Sequence, residues 1–566
     1  VIEMPDTLDS IEISMRRIEA QSALFSPVIS RLAVLRLRKV SGTCRSARVN
    51  VWRNHAIESV IELTRPYLEF GRLQIEFSLS DYDDSLLFAS HAPADLELLW
   101  LDSTRYSSLG PLDTWLEWLD DRIRALRILT GAPIILATWL TEVGQRPPLT
   151  ALVDSFPGVF LADLGQTCDD LGAALIDHRT AAMAGSAISR HAQILLAREL
   201  ACHWLPATLA PPIKAVALDL DNTLHDGVLG EDGISGVRLT PAHRALQEDI
   251  KSLLERGIFI ALVSRNEHAE VEELFGKRDD YPLRWEDFSA IEVSWADKPA
   301  ALSRVARRLR IGLDAILFID DNPGELASVA TMLPELHTLR AEPDAEHTRF
   351  ALTYYPGLWR WKTGADDAKR LRDLQATVER EAMMARTDDM AEYFRSLQVS
   401  LTVHIDPPDL IDRLTELCNK TNQFNLALRR FTQAEIAARM ASGGACVAAV
   451  RMKDRLSDSG VVAAIVAERI DTRLIIEDLC ISCRALGRQL EDAVVLAAIR
   501  AMPLLDGCEK VCFQVRHGQR NRPALDWLAR LAGMTGLPEP GIHIAPLQNV
   551  LEFTPPVGVK VTCLTN

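Results

Sequence analysis

The sequence predicts an α/β fold divided into three domains. Short apolar runs alternate with amphipathic helical stretches over most of the 566-residue chain, which is the pattern of parallel sheets covered by helices. Two of those runs, 213–218 and 315–319, end in paired acidic residues, Asp219/Asp221 and Asp320/Asp321. Beyond residue 399 the pattern changes to longer strand-like runs separated by short turns. Three domains also suit this length, since a domain usually takes roughly 100–200 residues.

The first region, 1–212, reads as an α/β domain in its own right. Residues 96–101 and 133–138 are strand-like, with a helix expected over 115–129 between them. Residues 205–212 carry three prolines and read as the linker to the second region.

That second region, 213–365, holds the clearest chemistry. Its first strand delivers Asp219 and Asp221 to the carboxyl end of a parallel sheet, where open α/β folds bind ligands. One carboxylate can attack a phosphorus or carbon centre while its neighbour handles the proton; Thr223 lies in the same turn. A strand over 259–263 ends in Ser264, Arg265 and Asn266, whose polar groups can donate to phosphoryl oxygens. Lys298 offers a compensating positive charge just before the helix that Pro299 would start. Asp320 and Asp321 follow the strand 315–319 and, with Asp219 and Asp221, can hold a divalent cation. The intervals 219–264 and 264–298 are too short for a large cap domain once a helix and a strand are counted. Residues 227–236 can form a small flap at most, so the site is expected to be open, as suits a substrate presented on another protein or domain.

Residues 366–400 read as a helical connector whose charges form a solvated face. The last domain, 401–566, has strand-like runs at 399–404, 461–467 and 473–480. Cys483 falls at the end of the last run, before a helix expected over 490–502. Arg484, Gly487 and Arg488 surround that helix start, where backbone amides hold anions and lower a thiol's pKa. Cys480 has an odd offset from Cys483 and reads as core, although the two could also be a redox pair or half of a metal site. His517 and His404 are both possible partners of Cys483. Asn422 and Asn425, beside Arg429 and Arg430, either line the same groove or cap a helix.

Composition narrows the function classes. A formal net charge of -16 argues against unspecific nucleic-acid binding. Ten scattered cysteines read as reduced thiols of a cytoplasmic protein. Neither a signal peptide nor an apolar segment long enough to cross a membrane is visible.

The order Asp219-x-Asp221-x-Thr223, Ser264, Lys298, Asp320-Asp321 resembles the haloacid dehalogenase superfamily. That resemblance implies Asp219 as nucleophile, Asp221 as acid/base, Ser264 and Lys298 on the phosphoryl oxygens, and Asp320 as an anchor for Mg²⁺. Residues 218–224, 227–233, 318–323, 420–426 and 482–488 are similar to the signature segments of FkbH-like proteins. This second resemblance implies a glyceryl transferase/phosphatase of polyketide biosynthesis. Such an enzyme takes 1,3-bisphosphoglycerate and loads the glyceryl group as a thioester onto an acyl carrier protein, with Cys483 accepting the acyl group. An acidic carrier would then need a local basic patch, which the Arg-rich C-terminal third could supply. His225 stands where the family usually has Trp and could contact the glyceryl group. Region 1–212 resembles a degenerate SGNH hydrolase: 185–191 is similar to its closing block, but no Gly-Asp-Ser is present and no Asp lies three residues before His191. A structural or carrier-docking domain is expected there, with Asp177-His178 in a polar loop. Region 401–566 resembles GCN5-related acyltransferases, with 484–488 as the pyrophosphate loop and Asn521 and Gly533 also fitting. Gln489 replaces the loop's last glycine, which points to a groove for a carrier-borne pantetheine arm instead of coenzyme A. The alternatives are a Mg²⁺-dependent phosphatase whose C-terminal domain only docks, and a non-catalytic scaffold.

Overall fold

The computed structural model describes residues 7–37, 44–140, 143–177, 179, 186–362, 367–387 and 389–565. His178, Gly185 and Asp366 lie outside them. The chain divides into two compact units, Val1–Thr363 and Gly364–Asn566.

The first unit contains two parallel five-stranded sheets. Strands β1 (Arg45–Arg53), β2 (Leu73–Tyr82), β3 (Leu96–Leu101), β4 (Ile134–Thr138) and β5 (Val159–Asp163) pair in the order β2-β1-β3-β4-β5. Strands β3 and β4 are buried at every position, as a sheet covered on both faces requires. The helix between them, Leu112–Leu129, turns Trp115, Leu119, Ile123 and Leu126 inward at helical spacing.

The second sheet consists of β6 (Ala215–Leu218), β7 (Phe259–Ser264), β8 (Ala290–Val293), β9 (Ile316–Asp320) and β10 (His337–Arg340), in the order β10-β9-β6-β7-β8. Leu218 pairs with Ile319 on one side and with Leu262 on the other. This register brings the carboxyl ends of β6, β7 and β9 to one edge. Between β6 and the helix Pro241–Glu255 lies only the short helix Leu229–Gly236, so no separate cap domain stands there.

One apolar core runs continuously from the first sheet into the second. Gln21, on the helix Thr7–Leu24, donates to the Arg340 carbonyl at 2.8 Å. Arg72 donates to the carbonyls of Pro334, Glu335 and Leu336. The proline-bearing stretch expected as a linker is instead a buried helical turn, Leu205–Leu209, with Pro206 in its first turn, where proline's missing N–H costs nothing.

The second unit is built on a seven-stranded mixed sheet. Its strands are β11 (Ser400–Ile405), β12 (Ala445–Lys453), β13 (Asp458–Ile470), β14 (Arg473–Ile481), β15 (Lys510–Val515), β16 (Gly541–Ala545) and β17 (Lys560–Thr565). They pair in the order β16-β15-β14-β13-β12-β11-β17. β14 and β15 are parallel and pair only from Arg473/Lys510 to Ile476/Phe513. Among the described residues no helix is long and apolar enough to cross a membrane.

The connector is not simply solvated. Asp373 and Arg380, two turns apart on one face of the helix Asp367–Met384, are both buried. Arg380 Nε donates to Asp454 Oδ2 at 2.8 Å. Arg488 Nη2 donates to both Asp373 oxygens at 3.1 Å, and its Nη1 to Asp454 at 3.3 Å. Ser459 adds a hydrogen bond to Asp373 at 2.7 Å. Two carboxylates and two guanidiniums thus leave no net buried charge, which is the condition under which such groups tolerate burial. Removing one partner by Arg488→Ala should therefore destabilise the second unit by about 3–5 kcal/mol in a denaturant titration. Arg488→Met combined with Asp373→Leu should cost clearly less, because it leaves fewer orphaned charges.

Candidate active site

Asp219 directly follows β6, and its N–H still bonds to the Ile319 carbonyl of β9 at 2.9 Å. Asp320 is the last residue of β9, one strand across. Lys298 opens the helix Lys298–Leu309, and its Nζ lies 2.9 Å from Asp219 Oδ1 and 2.5 Å from Asp320 Oδ2. All three side chains are buried. Asp320 Oδ1 is oriented by the Asn322 N–H at 2.8 Å. Oxygens of Asp219, Asp320 and half-buried Asp321 lie within 4.8 Å of one another.

The electrostatics call for a cation. Three carboxylates face one ammonium, a surplus of two negative charges when all are ionised, and hard carboxylate oxygens are the donors that Mg²⁺ prefers. Burial pushes the Asp219 carboxyl up, and with Asp320 beside it and Lys298 opposing, it reaches about 7. Burial and then Asp320 raise Asp321 as well. Burial pulls Lys298 down, but Asp219 and Asp320 outweigh it and hold the ammonium above its ordinary range. A divalent cation on Asp219, Asp320 and Asp321 would balance the surplus; the donor set fits it.

Asp221 is oriented differently. Its Oδ1 accepts from the Leu229 N–H at 2.8 Å and its Oδ2 from Asn266 Nδ2 at 2.8 Å. Its carboxylate therefore does not join the cluster of Asp219, Asp320 and Asp321, contrary to the four-carboxylate set read from sequence. Burial alone would raise Asp221, but hydrogen bonds from His225, Leu229 and Asn266 bring it below the usual carboxylate range. Asn266 also donates to Ser264 Oγ at 3.0 Å, tying the end of β7 to Asp221. Thr223 is buried in the turn, and its hydroxyl has no hydrogen-bond partner among the described residues.

His225 is the residue whose role sequence reasoning misplaced. Its ring is wholly buried, so it cannot touch a glyceryl group. Its Nε2 lies 3.4 Å from Asp221 Oδ1, and its Nδ1 3.0 Å from the Tyr281 hydroxyl. The i, i+4 spacing from Asp221 was the available signal; Tyr281 is remote in sequence and gave none.

In the second unit, half-buried Cys483 follows β14 in the turn that leads to the helix Glu491–Ala501. Cys480 is core, its sulfur 4.0 Å from that of Cys418. The turn is already engaged by its own unit: the Gly487 N–H donates to Glu491 Oε1 at 3.0 Å, and Arg488 belongs to the buried ion network. Arg484 is buried too. The anion loop expected at Gly487 and Arg488 thus gives way to a self-capped turn. Asn425 is buried and bonds to Asp478 at 3.2 Å, whereas Asn422 accepts from Arg430. His517 Nε2 lies 2.7 Å from the Pro538 carbonyl, and no hydrogen bond joins His517 or His404 to Cys483 among the described residues.

Asn54 and His55 follow the carboxyl end of β1. His55 Nδ1 is 3.1 Å from Ser186 Oγ, and both residues are buried. Burial, then Arg105 and Arg53, lowers His55 to about 3, so the ring stays neutral. Its Nε2 has no hydrogen-bond partner among the described residues, hence no carboxylate orients it as in a catalytic triad.

No protein-family profile matches the chain, and no curated protein matches it. Among solved structures it is similar to the N-terminal part of the protein BF1531 from Bacteroides fragilis, which contains a phosphatase domain complexed with Mg. The identity is 20%, covering 60% of this chain and 99% of that one, with a TM-score of 0.44. A haloacid dehalogenase superfamily (subfamily III A) hydrolase from Legionella pneumophila is 20% identical over 31% of this chain and 87% of its own, at a TM-score of 0.18. A GCN5-related glucosamine N-acetyltransferase region of a fungal multi-domain β-N-acetylglucosaminidase is 10% identical, covering 91% of this chain and 65% of that one, at 0.16.

Two outcomes are expected from this geometry. His225→Phe should destabilise the first unit by about 1–3 kcal/mol in a denaturant titration, because it leaves the buried Tyr281 hydroxyl without its partner; His225→Gln, which keeps a polar partner, should recover much of it. A fluorophosphonate probe should label no serine in residues 1–212, as read by peptide mapping.

Proposed function

We infer that the acidic site is the centre of a Mg²⁺-dependent phosphoryl-transfer enzyme of the haloacid dehalogenase type. The observation that carries this reading is the Lys298 ammonium bonded at once to Asp219 and Asp320, beside Asp321. Asp219 attacks phosphorus, the bond to the leaving oxygen breaks, and Asp221 gives that oxygen its proton. Water then attacks the aspartyl phosphate and returns a proton to Asp221, freeing phosphate and Asp219. Asp221 starts low, and an incoming phosphate dianion raises it toward the acid form. Ser264, Asn266 and Lys298 hold the phosphoryl oxygens. A bound divalent cation would supply charge neutralisation for those oxygens.

The reading extends to a substrate and a partner. Similarity of residues 218–224, 318–323, 420–426 and 482–488 to FkbH-like proteins supports 1,3-bisphosphoglycerate as donor and an acyl carrier protein as acceptor. The Cys483 thiolate attacks the acyl carbon and the carbon–oxygen bond to phosphate breaks, releasing phosphate. The carrier's phosphopantetheine thiol then takes the acyl group and its proton returns to Cys483, while the Asp219 site removes the remaining phosphate ester. A phosphatase whose second unit only docks is the competing reading, favoured by the self-capped turn at Gly487 and Arg488.

Asp219→Asn should slow phosphate release on the order of 10³-fold or more; near-native release would refute the nucleophile. Intact-mass spectrometry of a carrier protein incubated with enzyme, Mg²⁺ and 1,3-bisphosphoglycerate should show a glyceryl increment that Cys483→Ser abolishes while phosphatase activity persists. Phosphate release without any increment would leave the phosphatase alone.

A further inference from the structure

A cavity of about 580 Å³ in the second unit is lined by Arg429, Arg430 and Arg516, with Leu428, Val515 and Ile542 forming an apolar part of its wall. It is distinct from the turn at Cys483 and from the acidic site of the first unit.

The sheet explains how the cavity arises. β14 and β15 pair over only four positions and then separate. The segment 424–428 enters the gap: the Ile481 N–H bonds to the Phe424 carbonyl at 2.9 Å and the Leu426 N–H to the Leu479 carbonyl at 3.1 Å. On its other side the Arg516 N–H bonds to the Leu426 carbonyl at 2.9 Å. The chain then reverses at Leu428, whose φ of 52° lies in the left-handed region that a leucine rarely adopts.

Buried polar groups impose that turn. Asn425 Oδ1 accepts from the Leu428 N–H at 2.6 Å, and Asp478 Oδ1 from the Ala427 N–H at 3.1 Å. Asn521 Nδ2 donates to the carbonyls of Asn425 at 3.0 Å and Arg516 at 2.8 Å, locking the two cavity walls together. Asn425, Asp478 and Asn521 are all at most 1% exposed. Gly518 packs against the same turn, where a Cβ would lie 2.4 Å from Leu428 Cδ1 and the leucine would have to shift.

The guanidiniums are held to different degrees. Arg429 pairs with Glu477 and lies 4.6 Å over the Phe431 ring. Arg430 is steadied by the Cys418 carbonyl and Asn422. The Arg516 side chain has no hydrogen-bond or ion-pair partner among the described residues. Glu477, the nearby carboxylate, is shared between Arg429 and Arg439.

We propose that this cavity binds a phosphate monoester with a small apolar body, gripped by Arg516 and Arg430. Guanidinium forks match the oxygens of a phosphate dianion, and the cavity gathers three of them in its wall. Leu428, Val515 and Ile542 then cover the apolar part of the ligand. Strain at Leu428 and a buried polar lattice serve to fix the arginines before the ligand arrives, which saves ordering entropy on binding. The proposal stands on the second unit alone and does not rest on phosphoryl transfer in the first.

The test is calorimetric titration of the full-length chain in EDTA with phenylphosphonate, a non-hydrolysable anion with an apolar body, and with benzoate. Wild type should bind phenylphosphonate at least about tenfold more tightly than benzoate, and Arg516→Ala and Arg430→Ala should each weaken it about tenfold or more. Arg516→Gln, which keeps the stem, should behave as Arg516→Ala does. Near-UV circular dichroism and the thermal unfolding of all three variants should match wild type, showing that they are folded. Equal affinity in wild type and variants, or equal affinity for benzoate, would overturn the proposal.

Discussion

The constraint on which the first unit depends is the crowding of three carboxylates around one ammonium. Asp219, Asp320 and Asp321 converge because β6 and β9 are neighbours in a parallel sheet, and Lys298 reaches them from the first residue of a helix. Burial first, and then the like charge of Asp320, push Asp219 and Asp321 up. A sheet with β6 at its edge could not bring the ends of β7 and β9 to either side of Asp219. The fully apolar four-residue run of β6, buried throughout, is what makes it a central strand.

Asp219 and Asp221 stand two residues apart and meet opposite environments. Asp219 is surrounded by charge and deprived of water, whereas Asp221 collects hydrogen bonds from Leu229 and Asn266 and faces His225 at 3.4 Å. Environments that push two carboxyls apart let one short motif carry two groups of opposite protonation behaviour. The cost of that separation falls on structure: Asn222 is held in the left-handed region, and the His225–Tyr281 pair is buried behind the turn.

The second unit sorts its arginines by burial. Arg380 and Arg488 are matched against Asp373 and Asp454 and fix the first helix of the unit to its sheet. Arg429, Arg430 and Arg516 instead face open space on either side of a segment that fills the gap between β14 and β15. Asp478, buried beside that segment, is pushed up to about 7 by its burial, so around neutrality it can act as a polar anchor without imposing a full buried charge.

Local pattern in the sequence determined the elements and the strand-end chemistry. The buried runs of β3, β4, β6, β7 and β9, the acidic residues after β6 and β9, and the helix that starts at Lys298 all come from apolar runs, proline placement and residue type. What the sequence could not decide was which way each polar side chain turns. By pattern Asp221 reads as a fourth metal ligand, and by resemblance His225 reads as a substrate contact and Arg488 and Gly487 as an anion site. Each of those readings depends on partners far along the chain: Asn266 and Tyr281 for the first two, and Asp373 and Asp454 for Arg488. The proline-rich stretch 205–212 and the charged connector mislead for the same reason, because their burial is set by elements that pack onto them from elsewhere. Orientation of a short polar side chain costs little locally and is settled by whichever donor or acceptor tertiary packing brings within reach.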